Sequence, residues 1–104
     1  MSVTANPQRG EAKFVAAGRP LLLRPSFENL VAAEAEIGSL FALVERASEG
    51  SITISEITAL IWHCINDTDR PERDEVGKAV LECGLVEATK PIRTILSQVL
   101  QGRT

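Results

Sequence analysis

Glycines at positions 38, 50, 84 and 102 divide this chain into segments too short to fold alone. Between them the apolar residues return at helical spacing, so each segment reads as an amphipathic helix of about three turns or fewer. An isolated helix of that length is marginal in water. The segments fold only by burying their stripes in one shared core. That requirement sets the fold class as mainly α.

Ser26 caps a first helix whose stripe is Phe27, Leu30, Val31 and Ile37, ending at Gly38. Ser39 caps a second, with Leu40, Leu43, Val44 and Ala47 inward and Gly50 closing it. Thr53-Ile54-Ser55-Glu56 reads as a capping box, in which Thr53 bonds forward and Glu56 reaches back. It opens a third helix with Ile57, Leu60, Ile61, Cys64 and Ile65 on one narrow face. Asn66 to Pro71 is a loop. Pro71 suits the first turn of a fourth helix capped by Thr68 or Asp69, with Val76, Ala79, Val80 and Cys83 inward and Gly84 at its end. A fifth helix starts at Ala88 or Thr89 and tolerates Pro91 in its first turn. It presents Ile92, Ile95, Leu96, Val99 and Leu100 before Gly102 stops it.

Ahead of the helices, Glu11 to Val15 and Leu21 to Arg24 flank Ala17-Gly18-Arg19-Pro20, a β-hairpin signature in which glycine allows a positive φ. Pro20 falls at the start of the return strand, where a missing N–H does least harm. The run Leu21-Leu22-Leu23 requires cover on both faces of that strand, from the helices or from a sheet of another molecule, because a lone hairpin is marginal. Residues 1–10 read as a loose polar tail. The expected organisation is an α+β arrangement: one domain over 11–102, with a hairpin at 11–24 packed on a bundle of about five short helices at 26–102.

Composition narrows the function classes. A hydrophobic fraction of 44% with 24% charged residues is ordinary for a soluble globular chain of 104 residues. The net charge of −3 argues against a binder of phosphate backbones, which carries a basic excess. No apolar run reaches the roughly 20 residues of a membrane helix, and the start lacks the basic-then-apolar order of a signal peptide. A cytoplasmic location is the expectation. Cys64 and Cys83 stand far apart on their helical stripes, and both read as reduced, buried small hydrophobes.

No reactive constellation emerges. The only histidine, His63, lies about 100° around the helix from Cys64, so the two cannot face one another. It points away from the apolar stripe and reads as a solvent-side residue. The acid-rich stretch from Asn66 to Glu75 fails as a calcium loop: Pro71, Glu72 and Lys78 occupy its fifth, sixth and twelfth positions. No metal, cofactor or catalytic site is expected. The second half echoes a helix-turn-helix, with Lys90 and Arg93 available for phosphates, but Pro91 and the acidic balance oppose that reading.

The order of elements carries more information than any side chain. Pro7-Gln8-Arg9-Gly10-Glu11 leads into the hairpin, and Ser26-Phe27 opens a helix containing Glu34. Gly38-Ser39-Leu40 breaks it, Leu43-Val44-Glu45-Arg46 sits in the next, and Ser55-Glu56 starts the helix carrying Leu60-Ile61-Trp62. This pattern, over roughly the first two thirds of the chain, resembles a small family of gene transfer agent and prophage tail clusters. Its members are described as tail-assembly chaperones, and sometimes as tail tube-like proteins. The resemblance implies a non-catalytic bacterial protein that binds tail tube or tape-measure protein during tail morphogenesis. A structural tail component and a small DNA-binding regulator are the other readings; particle content and salt sensitivity separate them. A homo-oligomer is compatible with each.

Three residues are candidates for partner contact. Trp62 lies about 130° from the centre of its helix stripe, either covering the core edge or serving as an aromatic anchor. Leu81 is on the equivalent flank of the fourth helix, and Leu22 is an outward member of a possible edge strand. The anchor reading predicts that Trp62→Ala weakens partner capture more than it lowers the melting temperature. Loss of stability alone returns Trp62 to the core.

Overall fold

The computed structural model describes residues 12–16, 18–65 and 70–101. The tail expected at 1–10, the candidate caps Thr68 and Asp69, and the stop at Gly102 lie outside the described residues.

A helix covered nearly all round organises the rest. In α3 (Ile54–Cys64), Ile57, Thr58, Ala59, Leu60, Ile61 and Cys64 are all buried, a wider surface than the narrow stripe legible in the sequence. Its start is fixed by the expected capping box: Glu56 N–H donates to Thr53 Oγ1 at 3.1 Å and Thr53 N–H donates to Glu56 Oε1 at 2.9 Å. Three helices pack on it: α1 (Phe27–Ile37), α4 (Arg73–Cys83) and α5 (Leu85–Gln101). The remaining helix, α2 (Leu40–Ser48), lies against α5 and reaches α3 through an ion pair between Arg46 and Glu56.

Two strands complete the domain. β1 (Ala12–Ala16) pairs antiparallel with β2 (Arg19–Leu23), Phe14 facing Leu21 and Ala16 facing Arg19, with Gly18 in the turn at φ +75°. Ala12, Phe14, Ala16, Leu21 and Leu23 turn one face into the core, where β1 meets α4 and α5. The opposite face keeps Val15 at the surface and Leu22 half-buried. The cover the leucine run requires is thus supplied by the helices on one side and only partly on the other. The chain leaving α3 extends this edge, Ile65 bridging to Leu23 and Arg24 N–H donating to the Cys64 carbonyl at 2.7 Å.

Four expectations need correction. In α1, Ala33 is the fully buried residue, Leu30 and Ile37 are half-buried, and Phe27 and Val31 are 80% and 47% exposed. Turning the small Ala33 toward α3 lets the two helices approach closely; Phe27 and Val31 then sit about 100–140° from the contact line. The N-cap of α4 is Glu72, without a side-chain bond, so Pro71 precedes the helix instead of entering its first turn. The Pro71 carbonyl instead accepts the indole N–H of Trp62 at 3.0 Å. α5 begins at Leu85, closed by Ala88 N–H donating to the Gly84 carbonyl at 3.0 Å, which places Pro91 inside the helix. An interior proline costs about 3 kcal/mol, offset here by burial of Pro91 with Ala88, Ile92, Ile95 and Leu96. Leu100 remains 48% exposed on that expected face.

The fourth correction concerns the thiols. Cys64 is buried as expected, whereas Cys83 is exposed. Cys83 follows the α4 stripe by angle, but it is the last helical residue before Gly84 turns the chain at φ +91°, beyond the part of α4 that the core covers. Burial pushes the Cys64 thiol up to about 12, partly opposed by Arg70. Native protein is therefore expected to alkylate at Cys83 and not at Cys64. Mass spectrometry after iodoacetamide treatment, with and without denaturant, checks this; native labelling of Cys64 would contradict the packing of α3.

Candidate interaction surface

Trp62, the first of the sequence candidates, is the centre of a polar cluster where α3 ends. It is half-buried against the core, and its indole N–H is used by Pro71. The guanidinium carbons of Arg70 and Arg73 each lie over the ring, 4.4 Å from its centroid. Arg70 also donates to the carbonyls of His63 and Ile65, both at 2.9 Å, and so satisfies acceptors that the end of α3 leaves open. Arg73 donates to Glu36 Oε2 at 2.5 Å, and Glu36 Oε1 meets His63 Nε2 at 2.9 Å. His63 is consequently not solvent-facing: its side chain is 12% exposed, because α1 brings Glu36 across it.

Two carboxyls are held down by this kind of pairing. The Glu36 carboxyl is lowered to about 2, chiefly by its hydrogen bond to Arg73 and then by that to His63. Glu56 is likewise lowered to about 2, first by Arg46 and then by the amide and hydroxyl of Thr53. Beside Glu36 opens a cleft of about 480 Å³ whose lining includes Thr58, Arg73, Asp74 and Lys78. Two acids, Glu36 and Asp74, balance two bases, Arg73 and Lys78, in its lining. Among the described residues no group of three or more His, Cys, Asp or Glu side chains is placed to hold a metal ion. No described helix is long and apolar enough to cross a membrane.

The three candidate contact residues occupy separate places. Leu81, 62% exposed, is eight residues beyond Arg73 on α4, about 12 Å along its axis from the Trp62 cluster. Leu22 is on the outer face of the hairpin, away from Leu21 and Leu23. Other apolar side chains are more accessible than the sequence reading allowed. Leu85 and Val86 adjoin Leu81 in sequence across the α4–α5 turn, at 45% and 78% exposure, and Phe41 on α2 is 64% exposed. Phe41 is legible on a helical wheel, about 130° from the centre of the buried Leu40 and Leu43. Leu85 and Val86 are not, because both precede the helix start expected at Ala88 or Thr89. In the expected recognition helix, Lys90 is tied to Glu87 at 3.0 Å one turn earlier.

The described residues form a small α-rich domain with a hairpin, a polar cluster at the end of α3 and dispersed apolar surface. Residues 9–102 match the family described as phage tail tube protein, GTA-gp10, and the chain belongs to that family. No curated protein and no solved structure matches it.

Two measurements follow from the cluster. Trp62→Ala removes a hydrogen bond and two cation–π contacts along with core-edge packing, and is expected to cost about 2–3 kcal/mol in urea unfolding. Glu36 and Glu56 carry folded values near 2 against 4.5 for the free carboxyl, so their stabilisation is complete above pH 4.5 and disappears as pH falls toward 2. Glu36 is 40% exposed, so its share is under about 1 kcal/mol. Melting temperature followed from pH 5 to 2 should fall less steeply in Glu36→Gln than in the wild type.

Proposed function

We infer that this protein is a non-catalytic assembly factor that holds tail tube or tape-measure protein soluble before the tail polymerises. The observation that carries this reading is the apolar surface: Phe27, Phe41, Leu81 and Val86 are each at least 62% exposed on an otherwise packed domain. Scattered exposed leucines are ordinary, but four large side chains this open on so small a molecule suit a surface meant to be covered. Family membership supports the setting of a tail under construction, and the reading places this step in the cytoplasm. Residues 11–102 act as the binding unit. Leu81 and Leu22 supply contact area, and Trp62 presents the surface around the end of α3.

A tube subunit is the second reading, favoured by the family's own description. The two strands of the described residues weaken it, since a ring of tube subunits rests on a substantial sheet. A nucleic-acid regulator is the weakest, given the acidic balance and the pairing of Lys90.

Affinity capture of tagged protein from cells assembling tails, with mass spectrometry of the eluate and of purified particles, separates these. Tape-measure or tube protein is expected in the eluate, and the tagged chain is expected to be missing from particles. Its presence in particles at subunit stoichiometry would make it structural, and salt-sensitive recovery of DNA alone would make it a regulator.

A further inference from the structure

The shallow packing of α2 on α5 leaves a groove of about 360 Å³ between them. Val44, Ala47 and Leu96 line it with apolar surface, and Ser48 and Ser97 are small enough to admit a close neighbour. Arg93 and Leu100 come from the α5 side. They are seven residues apart, so the groove runs about 10 Å along α5, the length of two helical turns. Phe41, two turns before Ser48, points to the same side of α2 within about 20° and extends the apolar surface beyond the groove.

Charge narrows the occupant. Among the described residues Arg93 is the only charged one lining the groove, and none of their carboxylates is paired with it. A cation at the edge of an apolar groove, in a chain of net charge −3, complements an apolar segment that carries a carboxylate. Backbone chemistry narrows it further. Both walls are helices whose amides are largely spent on their own hydrogen bonds, so an extended segment would bury backbone groups without partners. A helix arrives with its backbone already satisfied.

We propose that the α2–α5 groove binds an amphipathic helix of the partner tail protein, its apolar stripe on Val44, Leu96 and Leu100 and an Asp or Glu on Arg93. This rests on the assembly reading above and adds a contact for that partner on a surface separate from Trp62, Leu81 and Leu22. A second copy of this chain is the competing occupant.

The test places the photo-crosslinking residue p-benzoylphenylalanine at position 100 of the full chain, in cells assembling tails, and sequences the crosslinked peptide. The expected product is a tail-protein segment with apolar residues at helical spacing and an acidic residue beside them. Arg93→Glu should lower the crosslink yield about fivefold with an unchanged thermal melt, and exchange of the partner's acidic residue for Lys should restore it. Crosslinks only to a second copy, crosslinks to a segment without helical spacing, or indifference to Arg93→Glu each overturn the groove proposal while wild-type capture of tail protein leaves the assembly reading standing. A wild-type chain that captures no tail protein removes both.

Discussion

Everything in this domain depends on the burial of α3. Its capping box fixes where the helix starts, and the residues from Ile57 to Ile61 are then covered from several directions at once. Three of the other helices use it as their common wall, and the hairpin is joined to its exit through Leu23, Arg24 and Ile65. α1 and α4, at 11 residues each, are too short to be stable unaided and borrow order from that one element. A buried aliphatic side chain such as Leu60 contributes about 1.5–3 kcal/mol by its removal from water, comparable with a large part of a small domain's net stability.

Where α3 ends, the molecule turns from apolar to ionic cohesion. Arg70 and Arg73 each do two things, stacking over Trp62 while bonding to carbonyls or to Glu36. Glu36 ties Arg73 to His63, and Arg70 holds the carbonyls of His63 and Ile65, so the cluster is a clamp joining α1, α3 and the start of α4. Apolar side chains at the surface lie elsewhere: on α1, on α2, and around the turn between α4 and α5. The division suits an assembly protein, in which one region holds the domain together while others remain available to a partner.

Much of the fold was legible because glycine, capping residues and apolar period agree locally. The glycines at 18, 38, 50 and 84 all adopt positive φ, as expected of the hairpin turn and of three helix stops, and Thr53 with Glu56 forms the box its spacing implies. What was not legible depends on contacts made at a distance. The rotation of α1 is chosen by the small Ala33 meeting α3, which no count of large apolar residues reveals. The early start of α5 requires tertiary burial to outweigh an interior proline. The cover over His63 comes from Glu36, 27 positions earlier. The groove between α2 and α5 is a product of packing, so neither helix alone suggests it.

The attachment of α2 has a consequence for local stability. Gly38 bounds the helix on one side and Gly50 on the other, both at positive φ. Beyond its caps, its hold on the domain is the burial of Leu40 and Leu43, partial burial of Val44 and Ala47, and the Arg46–Glu56 pair. Releasing the two leucines costs on the order of 3–6 kcal/mol, toward the lower end of what unfolds a whole domain. The helix is thus built as a sub-globally opening unit, whose amides exchange with solvent ahead of those in α3. A ligand seated between α2 and α5 would bind only the closed form, and its affinity would appear directly as slowed exchange across residues 40–48.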